Sequence, residues 1–315
     1  MASNQRPEFS VLKNAYDIFM NLGSQRKASK ALDIPRSTLQ DWLRFYKEEV
    51  DDGGCSDAYE PPRMKILLLD IETSPNVAHV WGLFKANVSL SQLMDSSYTM
   101  CFAAKWYGED EIFFSSVYHD GNKKMLTKLW GMLNSADAVV HYNGTKFDIP
   151  TCNKEFILNK MTPPNPYHQI DLLKVAKDRF RFPSNKLDYV AKALGVGQKV
   201  KHIGHELWVQ CMNDNDESWC QMKEYNIGDV VVLEKVYERM LPWIKNHPNH
   251  GLFIDSDRPV CPNCGSTAVQ KKGVETTQTL TYQRYRCTSC GTPIRSRYTI
   301  DHLEKRRNIL TQSKL

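Results

Sequence analysis

Asp70 and Glu72 in KILLLDIET, Asp148 in HYNGTKFDIP, and Tyr225 with Asp229 in EYNIGDVV are the residues whose types and spacing could do chemistry. Asp70 and Glu72 stand two apart at the end of an apolar run that reads as a strand, so alternation turns both carboxylates to one face. Tyr225 and Asp229 stand four apart in a helical segment and share a face as well. Asp148 ends a strand-like run through YNGTKF and could approach the same point. Carboxylates side by side repel one another unless cations intervene, and hard oxygen ligands suit Mg²⁺ or Mn²⁺. Two such ions can activate water and stabilise a leaving oxygen, which is the chemistry of phosphodiester cleavage. A phenol of pKa about 10 is a poor base, so Tyr225 would orient the water rather than take its proton. Each motif alone is weak; the three in order are specific.

A second constellation is Cys261, Cys264, Cys287 and Cys290, two Cys-x-x-Cys pairs each ending in glycine. Four thiolates in two such knuckles read as one structural tetrahedral Zn²⁺ site, with a hairpin inserted between the pairs. Cys55, Cys101, Cys152, Cys211 and Cys220 are scattered singly, and Cys101 and Cys152 read as packing residues. Asp171 and His141 read as structural neighbours of the carboxylate motifs.

The elements that must position these groups fall into modules. Over residues 1–50, helical spacing places Phe9, Leu12, Tyr16, Phe19 and Met20 on one stripe, and Gly23 and Ser24 break and restart the chain. Ala28, Ala31 and Leu32 mark a second helix, with Pro35 at the first position of a third. That third helix buries Leu39, Trp42, Leu43 and Tyr46. ASKALDIPRSTLQDWL resembles a transposase- or recombinase-type helix-turn-helix, whose last helix would offer Arg36, Ser37, Thr38, Gln40 and Arg44 to DNA. Residues 51–62 form an acidic linker ending in Pro61 and Pro62. Residues 63–250 alternate strands and helices, which predicts an α/β layered domain. Helices are expected through Met125, Leu129, Met132 and Leu133, through KLDYVAKALG closing at Gly195, and over about 217–240. Residues 258–300 form a small β module around the cysteines, and 301–315 a basic tail. In that module Arg284, Arg286, Arg295 and Arg297 alternate with Tyr282, Tyr285 and Tyr298, which suits a nucleic-acid backbone.

DIET, YNGTKFD and YNIGD resemble the three motifs of the RNase H-like, DnaQ-like 3′–5′ exonucleases, and Tyr225 fits their DEDDy subgroup. Over roughly residues 64–245 the chain is similar to the exonuclease domain of family B DNA polymerases and its stand-alone phage and bacterial relatives. FDIP, QIDLL and NKLDYVAKALG extend the likeness. The resemblance implies an RNase H-like mixed sheet flanked by helices. It makes Asp70, Glu72, Asp148 and Asp229 ligands of two Mg²⁺ or Mn²⁺ ions, with Tyr225 positioning the attacking water. It implies a DNA exonuclease, DNA favoured over RNA, with replication or recombination proteins as partners. A structure-specific RNase H-like endonuclease, or a DNA-binding accessory protein with an inactive nuclease domain, are the alternatives. About 70 residues follow the exonuclease-like module, too few for a polymerase. Trp81, Phe84 and Phe147 could stack on terminal bases, with Phe147 read as core.

The composition, 41% hydrophobic and 24% charged, is that of a globular protein. The absence of a long apolar run or signal-like leader predicts no membrane association and a cytoplasmic protein, in the host cytoplasm if phage-encoded. The net charge of +5 is uneven. Residues 51–257 hold 22 Lys/Arg against 27 Asp/Glu, whereas 258–315 hold 11 against 3. An acidic middle fits a carboxylate site, and a basic end fits contact with phosphate.

Overall fold

The computed structural model describes residues 7–52, 64–85, 87–198 and 203–313. Contacts divide the chain into two compact units, Met1–Glu60 and Pro61–Leu315. From residue 53 to its end the expected linker, with Cys55, lies outside the described residues.

The first unit holds three helices, α1 (Phe9–Leu22), α2 (Gln25–Ala31) and α3 (Arg36–Asp52). Gly23, at φ +59°, closes α1 in the left-handed conformation that glycine tolerates best. Pro35 precedes α3 rather than opening it. Leu12, Ala15, Ala28, Leu39 and Leu43 form the centre. The expected stripes are narrower than predicted. Phe9, Met20 and Ala31 are exposed, and Tyr16, Phe19, Leu32, Trp42 and Tyr46 are half-buried. Ala15, a residue the pattern did not single out, lets the helices approach. Phe9 instead stacks on Tyr46, with centroids 5.4 Å apart.

The second unit begins with β1 (Ile66–Thr73), the short strands β2 (Val77–Ala78) and β3 (Leu93–Asp95), β4 (Thr99–Trp106) and β5 (Ile112–Ser116). Next come α4 (Val117–Asp120), α5 (Asn122–Ser135), β6 (Ala138–His141), α6 (Asp148–Leu158), β7 (His168–Asp171), α7 (Leu172–Arg179), α8 (Leu187–Ala193), α9 (His205–Met212) and α10 (Asp216–Met240). Five strands make one mixed sheet in the order β5-β4-β1-β6-β7. The pairs β1–β4 and β4–β5 are antiparallel, and β1–β6 and β6–β7 are parallel.

β1 is central and buried on both faces, which accounts for its unbroken apolar run. Leu67, Leu69 and Ile71 pack toward α5 and α6, while Ile66 and Leu68 pack toward α7, α8 and α10. Asp70 and Glu72 continue the second face, so the strand's own alternation carries them toward α10. In α5 the buried residues are Met125, Leu126, Leu129 and Leu133, and Met132 is only half-buried.

The chain ends in a three-stranded antiparallel ribbon, β8 (Val269–Thr276), β9 (Thr281–Cys287) and β10 (Pro293–Thr299), and a short α11 (Leu303–Arg307). The ribbon is part of the second compact unit. Asn263 Nδ2 donates to the carbonyls of Leu241 (2.8 Å) and Ile244 (3.1 Å), and Cys264 and Cys290 pack on the core around α10.

Candidate metal centres

The carboxylates of Asp70, Glu72 and Asp229 converge, each offering an oxygen within 4.8 Å of the other two. Asp70 and Glu72 come from β1, paired across to Ala103 and Cys101. Asp229 comes from the buried side of α10 and is 1% exposed. One turn earlier Tyr225 is also buried and lies against Trp208, with centroids 6.0 Å apart.

Asp148 arrives differently from the expectation of a strand end. β6 stops at His141, and a loop delivers Asp148 as the first residue of α6. Its Oδ1 accepts from the Ile71 N–H at 3.3 Å, between Asp70 and Glu72 in sequence. It stands outside the 4.8 Å set.

Three carboxylates this close, one of them buried, are stable as anions only with cations among them, and an all-oxygen donor set fits Mg²⁺ or Mn²⁺. A neighbouring amide fixes one of these carboxylates. Asn226, fully buried on α10, donates from Nδ2 to Asp70 Oδ2 at 2.6 Å. Behind the pair, burial and then the charges of Glu72 and Asp70 hold the Cys101 thiol well above its usual range, so it remains a neutral packing group. Cys152 is likewise buried, its thiol pushed up by desolvation.

The loop that presents Asp148 is rigidly built. Asp171 Oδ1 caps α7 at Leu173 N (3.1 Å) and accepts from Asn143 N at 2.9 Å. Asn143 has φ +72°, and asparagine tolerates that conformation better than most side chains. Gly144 donates to His141 Nδ1 at 3.0 Å, and a Cβ on Gly144 would lie 2.4 Å from His141 Cγ, so only glycine fits. Burial lowers the pKa of His141, which keeps it a neutral acceptor. A groove of about 800 Å³ opens beside Asp70 and Tyr225, lined by Tyr142, Asn143, Lys177 and Lys186 among others. Sequence reasoning missed Asn226, Lys177 and Lys186; only the position of Asn226 inside YNIGD could have signalled it.

The four cysteines form the second cluster, with Sγ atoms mutually within 4.8 Å. Cys261–Cys290 and Cys264–Cys287 sulfurs are 3.7 and 3.6 Å apart. A tetrahedral zinc with bonds of about 2.3 Å separates its sulfurs by roughly 3.8 Å, so the cage fits the ion. Gly265 (φ +74°) and Gly291 (φ +84°) close the knuckles, donating to the carbonyls of Cys261 and Cys287. Burial pushes the Cys261 thiol up to about 11. At Cys287 burial also raises the pKa, but the N–H groups of Cys290 and Ser289, together with the Cys264 and Cys290 thiols, outweigh it and bring it to about 7.

The expected nucleic-acid residues lie on two surfaces. Arg36, Ser37, Gln40 and Arg44 are exposed on α3, and Thr38 is half-buried. Gln40 bonds Gln25 at 3.1 Å, and Arg44 pairs with Asp41 at 3.1 Å. Arg284, Arg286, Arg295 and Arg297 are exposed on the ribbon. Trp81 and Phe84 are also exposed, and so, against expectation, is Phe147 (44%), because it sits in the loop before α6 rather than on a packed face.

A family model described as RNase_H superfamily matches residues 89–241, a span that holds Asp148, Tyr225 and Asp229 and begins after Asp70 and Glu72. The mixed five-stranded sheet flanked by helices has the RNase H-like architecture. Among solved structures, the chain is similar to the family B DNA polymerase of the hyperthermophilic archaeon Pyrobaculum calidifontis, at 17% identity and a TM-score of 0.46. That similarity covers 58% of this chain and 25% of the polymerase, so the chain spans about a quarter of that protein's length. No curated protein matches it by sequence. Among the described residues no helix is long and apolar enough to cross a membrane.

Proposed function

We propose that this protein is a metal-dependent nuclease, a 3′–5′ exonuclease that hydrolyses DNA. The observation that carries the reading is the convergence of Asp70, Glu72 and Asp229 within 4.8 Å, with Asp148 bonded to the strand between the first two.

In this reading Asp70, Glu72, Asp148 and Asp229 hold two Mg²⁺ or Mn²⁺ ions. When bound, the ions supply Lewis acidity to the scissile phosphate. The protein's own groups do the positioning. Tyr225 orients the attacking water through its hydroxyl, Asn226 fixes one oxygen of Asp70, and Lys177 and Lys186 meet the phosphates of the strand in the groove. The cysteine cage holds one structural Zn²⁺. The exposed polar face of α3 makes a DNA-binding role for the first unit part of the proposal. That face also supports a second reading, an endonuclease guided to particular sites.

The test is 5′-labelled single-stranded and duplex DNA, with a 3′-blocked control, incubated in Mg²⁺, Mn²⁺ or chelator. The expected result is a metal-dependent ladder shortening from the 3′ end and stopped by the block. Internal cuts on blocked DNA would establish the endonuclease instead, and no metal-dependent cleavage of any DNA would overturn the assignment.

A further inference from the structure

We infer that the crease between the α/β layer and the ribbon is a second polynucleotide-binding surface, separate from the carboxylate groove. It takes a single strand of DNA or RNA through phosphate and base contacts. Two adjoining hollows of about 430 and 540 Å³ run along it and share Asp178, Arg179, Trp243, Ile244 and Lys245. One extends along α7 past Lys174, and the other reaches Arg295 at the start of β10.

The charge is one-sided. Lys174, Arg179, Lys245 and Arg295 line the two hollows, and the one exposed acid among the lining residues is Asp178. The other acid there, Asp171, already accepts two backbone N–H groups. Among the described residues Lys174, Arg179 and Lys245 form no ion pair, and Arg295 has a long one, 3.4 Å to Glu275. Side chains that carry charge without local neutralisation are available for phosphate.

An aromatic group stands among these cations. Trp243 is 55% exposed, and its ring is held edge-on against Phe180 at 5.4 Å and 67°. Cations interleaved with a fixed, exposed ring suit a strand whose bases stack while its backbone is neutralised. An acidic protein segment would use the cations and leave the ring without a role. The floor is rigid, because Ile244 is buried and its carbonyl is tied to Asn263.

The surface continues onto the ribbon. Arg295 lies across from Arg284 and 4.4 Å over the Tyr282 ring, and two positions along, on the same face, Pro293 lies across from Arg286. A strand in the crease would therefore run onto the ribbon's arginine face. The inference shares the nuclease reading's ligand class, but its test measures binding without cleavage.

The experiment uses the full chain with a fluorescein-labelled 20-nucleotide DNA, the same sequence as RNA, and an acidic poly-glutamate peptide, without added Mg²⁺ or Mn²⁺. Fluorescence anisotropy is read over a salt series for wild type, the triple variant Lys174→Gln/Arg179→Gln/Lys245→Gln, and Trp243→Ala. The expected result is at least tenfold weaker oligonucleotide binding by the triple variant, with a log–log salt slope shallower by about 2, since each single-strand phosphate contact contributes roughly 0.7. Trp243→Ala weakens binding by about fivefold or more without changing the slope. Melting curves and zinc content equal to wild type show that the variants fold. Unchanged affinity and slope in folded variants, no oligonucleotide binding by wild type, or loss of peptide binding alone would each overturn the inference. If the nuclease reading fails, these titrations still decide the matter. If it holds, the triple variant cleaves a dinucleotide normally and the 20-nucleotide strand poorly.

Discussion

The two ligand clusters are built by opposite strategies. The cysteine cage comes from two short knuckles, 261–264 and 287–290, whose αL glycines bend the backbone around the sulfurs. Its geometry is nearly complete in local sequence. The carboxylate cluster draws one pair from a central strand, one residue from a helix start and one from a 25-residue helix. Those elements meet only because β1 is packed on both faces. In the proposed reading the compact cage suits a structural ion, and the acidic cluster, which opens onto a groove, suits a reacting phosphate. On that reading local assembly goes with a static role, and long-range assembly with a site that admits a substrate.

The largest test of this contrast is removal of a carboxylate. Asp70→Ala and Asp148→Ala are each expected to lower cleavage by at least about 10²–10³-fold, the scale on which losing one charge-stabilising group at a reacting centre is felt. Zinc content and melting temperature should not move. Cleavage that persisted in both variants would remove these residues from the site.

The converse change, Cys287→Ser, should strip the chain of zinc while leaving the carboxylates in place. Zinc analysis should fall from one ion per chain toward none. Structural zinc sites contribute several kcal/mol or more, which for a unit of this size is a melting-temperature drop on the order of 10 °C. Unchanged zinc content in a folded variant would show that the cage is not the zinc site.

The smallest expected effect concerns the seat beneath the ribbon. His247 is buried beside Tyr237, whose hydroxyl lies 2.7 Å from its Nε2, and stacks on His250 with centroids 5.6 Å apart. Its Nδ1 lies 2.6 Å from the Pro248 carbonyl. Burial lowers its pKa to about 4. The unfolded chain takes up this proton near the ordinary value of about 6.5. Stability is therefore complete above that value, is lost as pH falls through the window down to about 4, and changes no further below it. The shift corresponds to on the order of 3 kcal/mol. Urea unfolding at pH 7 and pH 4.5 should show the loss, and His247→Gln should reduce the difference between the two pH values. An unreduced difference would assign the pH response to another group, such as the thiolates.

What the sequence made legible follows the same division. The strand alternation of Asp70 and Glu72, the helical spacing of Tyr225 and Asp229 and the cysteine knuckles are short-range patterns, and the structure brings their members together. Asn226 was not legible as a partner of Asp70, because 156 residues separate them and an asparagine in a helix carries no mark of what it faces. The crease around Trp243 was invisible for the same reason: its cations come from α7, from the turn after α10 and from β10. Phe147 was read as buried because an aromatic residue usually is, and Phe9 and Met20 because apolar residues at helical spacing usually are. A loop position exposes the first, and a small three-helix unit has too little interior for the other two.

The seating of the knuckles on the end of α10 also bears on how the chain is made. Tyr237, Met240 and Ile244 belong to the core of the α/β layer, yet Cys264 and Cys290, which pack against that core, come after it in the chain. During synthesis this patch stays uncovered until both knuckles have left the ribosome. The first unit, Met1–Glu60, leaves the ribosome earlier and can fold long before. Closure of the four-cysteine cage over α10 is then the step that covers this patch of the nascent α/β layer.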